Sequence, residues 1–122
     1  MRPVRRGNSL DVLITEEGIE SQEQAFSHVP PNQKACIAQL FKRLDKLAAK
    51  GRLRTPDEFT NEGPKIYAVK ARCGLRAYGW FSSDKSGKKI YVIGHVVLKK
   101  SRKANPADLE RTRKLREHYE GN

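Results

Sequence analysis

At 122 residues, with 37% apolar and 32% charged residues and a net charge of +11, the chain has room for one domain and one modest core. No run of about 18 apolar residues occurs, so no transmembrane helix is expected. The basic start (Arg2, Arg5, Arg6) lacks the apolar stretch of a secretory signal. Cys36 and Cys73 lack metal-ligand spacing and sit in apolar contexts, so they are expected as reduced core thiols of a cytoplasmic protein, with no metal site.

In chain order, residues 9–15 (Ser-Leu-Asp-Val-Leu-Ile-Thr) predict a short strand, and the acidic stretch 16–28 predicts a helical turn or a loop. Pro30-Pro31-Asn32 opens a helix over 33–50. Ile37, Leu40, Phe41, Leu44, Leu47 and Ala48 form its apolar stripe, and Gly51 caps its C-terminus. After a connection over 51–64, three runs predict strands: 65–73, 75–82 and 89–98, joined by links short enough for antiparallel hairpins. Asn105-Pro106 starts a last helix to Tyr119 with a thin apolar face (Leu109, Leu115, Tyr119). The order β, α, β, β, β, α predicts an α+β domain: a twisted, mainly antiparallel sheet with helices packed on one face.

The positive charge is concentrated. Residues 65–103 hold eleven Lys/Arg against one acid, Asp84, whereas 1–64 hold ten against nine and 104–122 four against four. A sheet carrying that excess binds a polyanion, with nucleic acid the leading class. Alternation with period two puts Lys70, Arg72, Arg76 and Tyr78 on one face. It groups His95 with Tyr91, Ile93 and Val97, alongside that face if the register allows. Lys99, Lys100, Arg102 and Lys103 follow as a basic tail. Arg and Lys suit phosphate oxygens, and Tyr78 and Trp80 could stack unpaired bases, although Trp80 and Tyr67 also read as core.

The same residue types suit phosphodiester cleavage without a metal. That reaction needs a base for a 2′-hydroxyl, cations for the phosphorane oxygens and an acid for the leaving oxygen. Lys70 and His95 compete for the role of base, and Arg76 with Lys99 or Lys100 could hold the phosphate. An isolated strand histidine is otherwise structural, and His28 reads as an ordinary loop residue.

The run 66–78 (IYAVKARCGLRAY) resembles the central hairpin of the RelE/ParE toxin superfamily. The run 90–106 (IYVIGHVVLKKSRKANP) resembles the HigB branch, with its phage-encoded relatives, in which a strand histidine leads into a Lys-Lys-Ser/Thr segment and a proline-opened helix. The resemblance covers about residues 33–119 and implies a single RelE-like domain in which residues 1–30 are an atypical N-terminal extension. It implies the toxin of a type II toxin–antitoxin module: an mRNA endonuclease that acts in the ribosomal A site without metal or other cofactor. A cognate antitoxin would neutralise it in a toxin–antitoxin hetero-oligomer, and no membrane is involved. Lys70, Arg76, His95 and Lys99 would then be catalytic, and Arg72, Tyr78, Lys100, Arg102 and Lys103 would bind RNA phosphates. Two departures stand out: only His118 and Tyr119 offer a C-terminal functional group, and the residues after Arg76 (Ala77-Tyr78-Gly79-Trp80) leave the usual pattern. A ParE-type gyrase inhibitor and a catalytically inactive basic nucleic-acid-binding module are the alternatives.

Overall fold

The alternating apolar residues of 75–98 form the two longest strands, β5 (Leu75–Ser83) and β6 (Lys89–Leu98), paired antiparallel through a tight turn. The computed structural model describes residues 1–100 and 104–121. Among them the remaining elements are β1 (Arg2–Arg6), β2 (Asp11–Ile14), α1 (Glu16–Ser27), α2 (Ala35–Lys50), β3 (Phe59–Asn61), β4 (Tyr67–Lys70) and α3 (Pro106–Glu120). The six strands form one sheet in the order β1-β2-β6-β5-β4-β3, in which β2 runs parallel to β6 and the other neighbours are antiparallel. The α+β class is as expected. The sheet is mixed.

The first residues are part of this sheet. Leu10 and Val12 are fully buried, and β2 lies directly against β6. β1 escaped the sequence pattern because Pro3 and three arginines leave it without apolar alternation. The stretch 16–28, expected as a turn or loop, is mainly a 12-residue helix. Thr15 caps it, its Oγ1 accepting a hydrogen bond from Gly18 N at 2.9 Å, and Ile19, Ala25 and Phe26 pack towards the core. The Asp11 carboxylate, buried beneath β1, accepts from Lys88 Nζ at 2.8 Å and from Gly7 N at 3.2 Å, tying the first hairpin to the β5–β6 turn. The Lys88 ammonium foremost, then Gly7 N–H, hold its carboxyl below the usual value against the opposing effect of burial.

α2 forms where its apolar stripe predicts, after a single turn of 3-10 helix at Pro31–Gln33, and ends on Gly51 in the left-handed conformation. Leu40, Leu44, Leu47 and Ala48 are buried against Val12, Val69, Ala77, Tyr91 and Ile93. A second, smaller core lies on the opposite face. There Trp80, Ile90 and Val92 are buried with Leu13 beneath Leu115 and Tyr119 of α3. The helices therefore cover both faces of the sheet, not one. The cause is visible in β5 and β6, which carry apolar side chains in both directions, so each face needs cover. Trp80 and Tyr91 are both fully buried, on opposite faces.

The β5–β6 ladder contains a bulge. Tyr78 pairs with His95 and Gly79 with Ile93, leaving Gly94 without a partner. Beyond it the alternation is inverted, so His95 and Val97 share the face of Ile90 and Val92 rather than that of Tyr91 and Ile93. Gly94 is required by close packing: a Cβ there would lie 2.8 Å from Trp80 Cζ3 and 3.4 Å from Leu115 Cδ1. Gly94→Ala is expected to push Trp80 against α3 and destabilise the protein by about 1–3 kcal/mol, read as a lowered urea midpoint. An unchanged midpoint would show that α3 does not press on Trp80 as described.

Candidate polyanion-binding groove

At the end of the sheet where β4 turns into β5, the last residues of β6 and the loops flanking α2 enclose a groove of about 1140 Å³. Seven cationic residues line it: Arg43, Arg54, Lys70, Arg72, Arg76, Lys99 and Lys100. Asp57 is the acid among its lining residues, and His28 is the imidazole. Five of the predicted site residues are thus brought together: Lys70, Arg72, Arg76, Lys99 and Lys100.

Local chemistry explains their positions. Lys70 ends β4 directly opposite Arg76 on β5, so the register of the β4–β5 hairpin sets two cationic residues side by side at the groove. Arg72 does not continue the strand, as the sequence predicts, but stands exposed on the turn that follows. That turn is held from three sides. Arg72 N donates to Gln39 Oε1 at 2.7 Å, Lys99 N donates to Gly74 O at 2.8 Å, and Cys73 is joined to Cys36 of α2 by a disulfide. The expectation of reduced thiols is therefore corrected. Residues 37 apart in sequence meet with Cα atoms 6.0 Å apart, because α2 lies along the β4–β5 turn. A cross-link over such a span stabilises the fold by about 3–4 kcal/mol in the chain-entropy account. Gly74 has φ +103°, and a Cβ there would lie 2.0 Å from Lys99 O, so both backbone conformation and close approach call for glycine.

Arg43 and Arg54 are groove residues that the sequence did not single out. Arg43 lies on the polar side of α2, where the helical pattern reads only as a solvated face. Its Nη1 reaches across to Lys70 O at 2.6 Å. Behind them sits Glu58, buried, whose Oε1 accepts from Lys46 Nζ and from Arg54 N, both at 2.9 Å. Lys70 N donates to Glu58 O at 2.9 Å, so this residue links the 54–58 loop to β4.

Tyr78 and His95 do not line the groove. Tyr78 is fully buried, so its ring is not available for stacking; burial raises its hydroxyl pKa, and the neighbouring Arg76 guanidinium partly offsets this. Trp80 is equally buried, which leaves the groove walls without a Phe, Tyr or Trp ring among the described residues. His95, turned by the Gly94 bulge, faces α3, where its Nε2 lies 3.0 Å from Asp108 Oδ1. Asp108 Oδ2 lies 3.5 Å from Lys99 Nζ, so one carboxylate bridges a buried histidine and a groove lysine. His95 lines a neighbouring groove of about 770 Å³, together with Glu17, Glu20 and Glu23 of α1. Tyr119 is similarly committed, its hydroxyl donating to Glu17 Oε1 at 2.9 Å. Arg102 and Lys103 lie outside the described residues.

The groove can bind a chain of phosphates. Its donors are guanidinium forks and ammonium groups on a backbone anchored by hydrogen bonds and a disulfide, an arrangement suited to phosphate oxygens. Among the described residues no cluster of His, Cys, Asp and Glu could hold a metal ion, and no helix is long and apolar enough to cross a membrane. No family model matches the chain, and no curated protein matches it in sequence.

The Glu58 carboxyl is held below its ordinary value of 4.5, first by the Lys46 ammonium and then by Arg54 N–H, against burial. A carboxylate with a depressed folded-state pKa adds stability above its unfolded value, and that stability is lost as pH falls through the lower folded value. Glu58→Gln is accordingly expected to destabilise the protein more at about pH 7 than at about pH 3, read as urea midpoints. An equal loss at both would remove the electrostatic role assigned to Glu58.

Proposed function

We propose that the chain is the toxin of a type II toxin–antitoxin module, a ribosome-dependent, metal-independent mRNA endonuclease that blocks translation and is neutralised by a cognate antitoxin. The observation that carries this reading is the convergence of seven cations from α2, two loops, β4, β5 and the end of β6 on one groove with a single lining carboxylate. The resemblance of 66–78 and 90–106 to the RelE and HigB toxins points to five of the seven: Lys70, Arg72, Arg76, Lys99 and Lys100.

In this reading Arg76 and Lys70, paired across adjacent strands, hold the scissile phosphate and the charge that grows on its oxygens. Arg72 and Lys100, both exposed, engage flanking phosphates. Lys99 contributes a cation positioned by Asp108. His95 acts through that same carboxylate as a positioning residue rather than as the base. A second reading, a non-cleaving basic RNA- or DNA-binding module, is favoured by one observation: the histidine expected to do chemistry faces Asp108 outside the groove.

Tightly induced expression in bacteria separates the two. Wild type is expected to arrest growth and create new mRNA 5′ ends in translated frames. Arg76→Ala is expected to lower cleavage by about 10²–10³-fold, the loss typical of one oxyanion donor. Because Arg76 is buried, the Arg72→Ala/Lys100→Ala double variant, altered only at exposed side chains, provides the control for folding; it is expected to weaken RNA binding and flatten its salt dependence. Healthy growth with an intact transcriptome, alongside salt-dependent binding, would establish the binding module instead.

A further inference from the structure

His28 follows α1 and stands at the junction of both grooves, lining each of them. It is exposed, but its position is built. Its backbone N–H donates to Ala25 O at 3.2 Å, the next residue, Val29, is buried, and Lys34 Nζ ties down Phe26 O at 3.0 Å. The ring is held too, with Nδ1 2.7 Å from Gln24 O. A carbonyl oxygen only accepts, so Nδ1 carries the hydrogen and donates it. In the neutral ring Nε2 is then the nitrogen that bears the lone pair, and no hydrogen bond engages it among the described residues. This is the arrangement required of a general base: one ring nitrogen fixes tautomer and orientation, the other is free to take a proton.

The charged groups lining the two grooves it joins are Glu17, Glu20 and Glu23 of its own helix with Lys100, Asp108 and Arg111 in one, and Arg43, Arg54, Asp57, Lys70, Arg72, Arg76, Lys99 and Lys100 in the other. The carboxylate-bound His95 lacks this access to the cationic groove.

We infer that His28, through Nε2, is the catalytic base of the groove and takes the proton of an RNA 2′-hydroxyl, a role that rests on the endonuclease reading. The 2′-oxygen then bonds to phosphorus and the bond from phosphorus to the 5′-oxygen breaks. That oxygen takes a proton from water, and the imidazolium returns its own to solvent. The products are a 2′,3′-cyclic phosphate and a 5′-hydroxyl end, with no net change in charge and no oxidant or metal consumed.

The test is single-turnover cleavage of mRNA on programmed ribosomes by wild type and His28→Ala, with and without added imidazole and across the neutral pH range. His28 is exposed, so the variant is expected to keep the wild-type melting temperature and RNA affinity. It is expected to cleave about 10²-fold more slowly, to lose the rise of rate with pH, and to recover partly with imidazole. Wild-type rate and pH profile in His28→Ala would overturn the assignment alone. So would a loss that tracks weaker RNA binding and resists imidazole. If wild type makes no new ends, the endonuclease reading falls and this inference falls with it.

Discussion

Like-charge repulsion is the constraint around which this fold is arranged. Unit charges a few ångströms apart repel by about 1 kcal/mol in water and by more where solvent is partly excluded. The structure nevertheless places Lys70 across from Arg76 and gathers five further cations around them. Asp108 beside Lys99 and Glu58 beside Arg43 offset part of this charge, but with one carboxylate on the groove wall side-chain attraction alone does not supply that order. The backbone and its cross-links supply it: the Cys36–Cys73 disulfide, the Gly74–Lys99 hydrogen bond, Gln39 on Arg72 N, and Glu58 behind the wall.

Much of this was legible in the sequence because it depends on local pattern. The stripe of α2, the proline-opened α3 and the two long strands follow from periodicity and capping, and the run of charge from 65 to 103 locates the groove. What was not legible depends on packing between distant elements. The Gly94 bulge exists because Trp80 and Leu115 occupy the space above it, and no alternation pattern in β6 records that contact. It turns His95 to the other face. Tyr78 reads as a surface ring by alternation, but it shares the face of Trp80 and is fully buried. The cysteine pairing has the same origin, since spacing alone does not reveal that α2 runs beside the β4–β5 turn. Arg43 and Arg54 are visible as charges but not as neighbours of β4.

α3 is attached in a different manner from α1 and α2. Its apolar contribution is small, and polar contacts do much of the joining: Asp108 to His95 and Lys99, Trp80 Nε1 and Ser82 Oγ to Glu120, and Tyr119 to Glu17. Each of these contacts has a carboxylate acceptor and contributes roughly 1.5–3 kcal/mol net where it is buried, and less near the surface, where it competes with water. An element held this way opens locally at lower free energy than a core helix does. Asp108 lies in its first turns, so the setting of Lys99 in the groove is coupled to how firmly α3 is docked.

The parallel pairing of β2 with β6 bears on how the molecule comes into being. Asp11 lies beside Ile90 and Ile14 beside Ile93, so the second and third strands of the sheet join segments about 80 residues apart in the sequence. Closing so long a loop is entropically costly and slow compared with forming a hairpin. During synthesis β1, β2 and α1 leave the ribosome well before the strand they pack against. Leu10, Val12 and Ile14 must therefore wait in solvent, and the cationic groove, whose far wall is the end of β6, is among the last parts of the chain to be assembled.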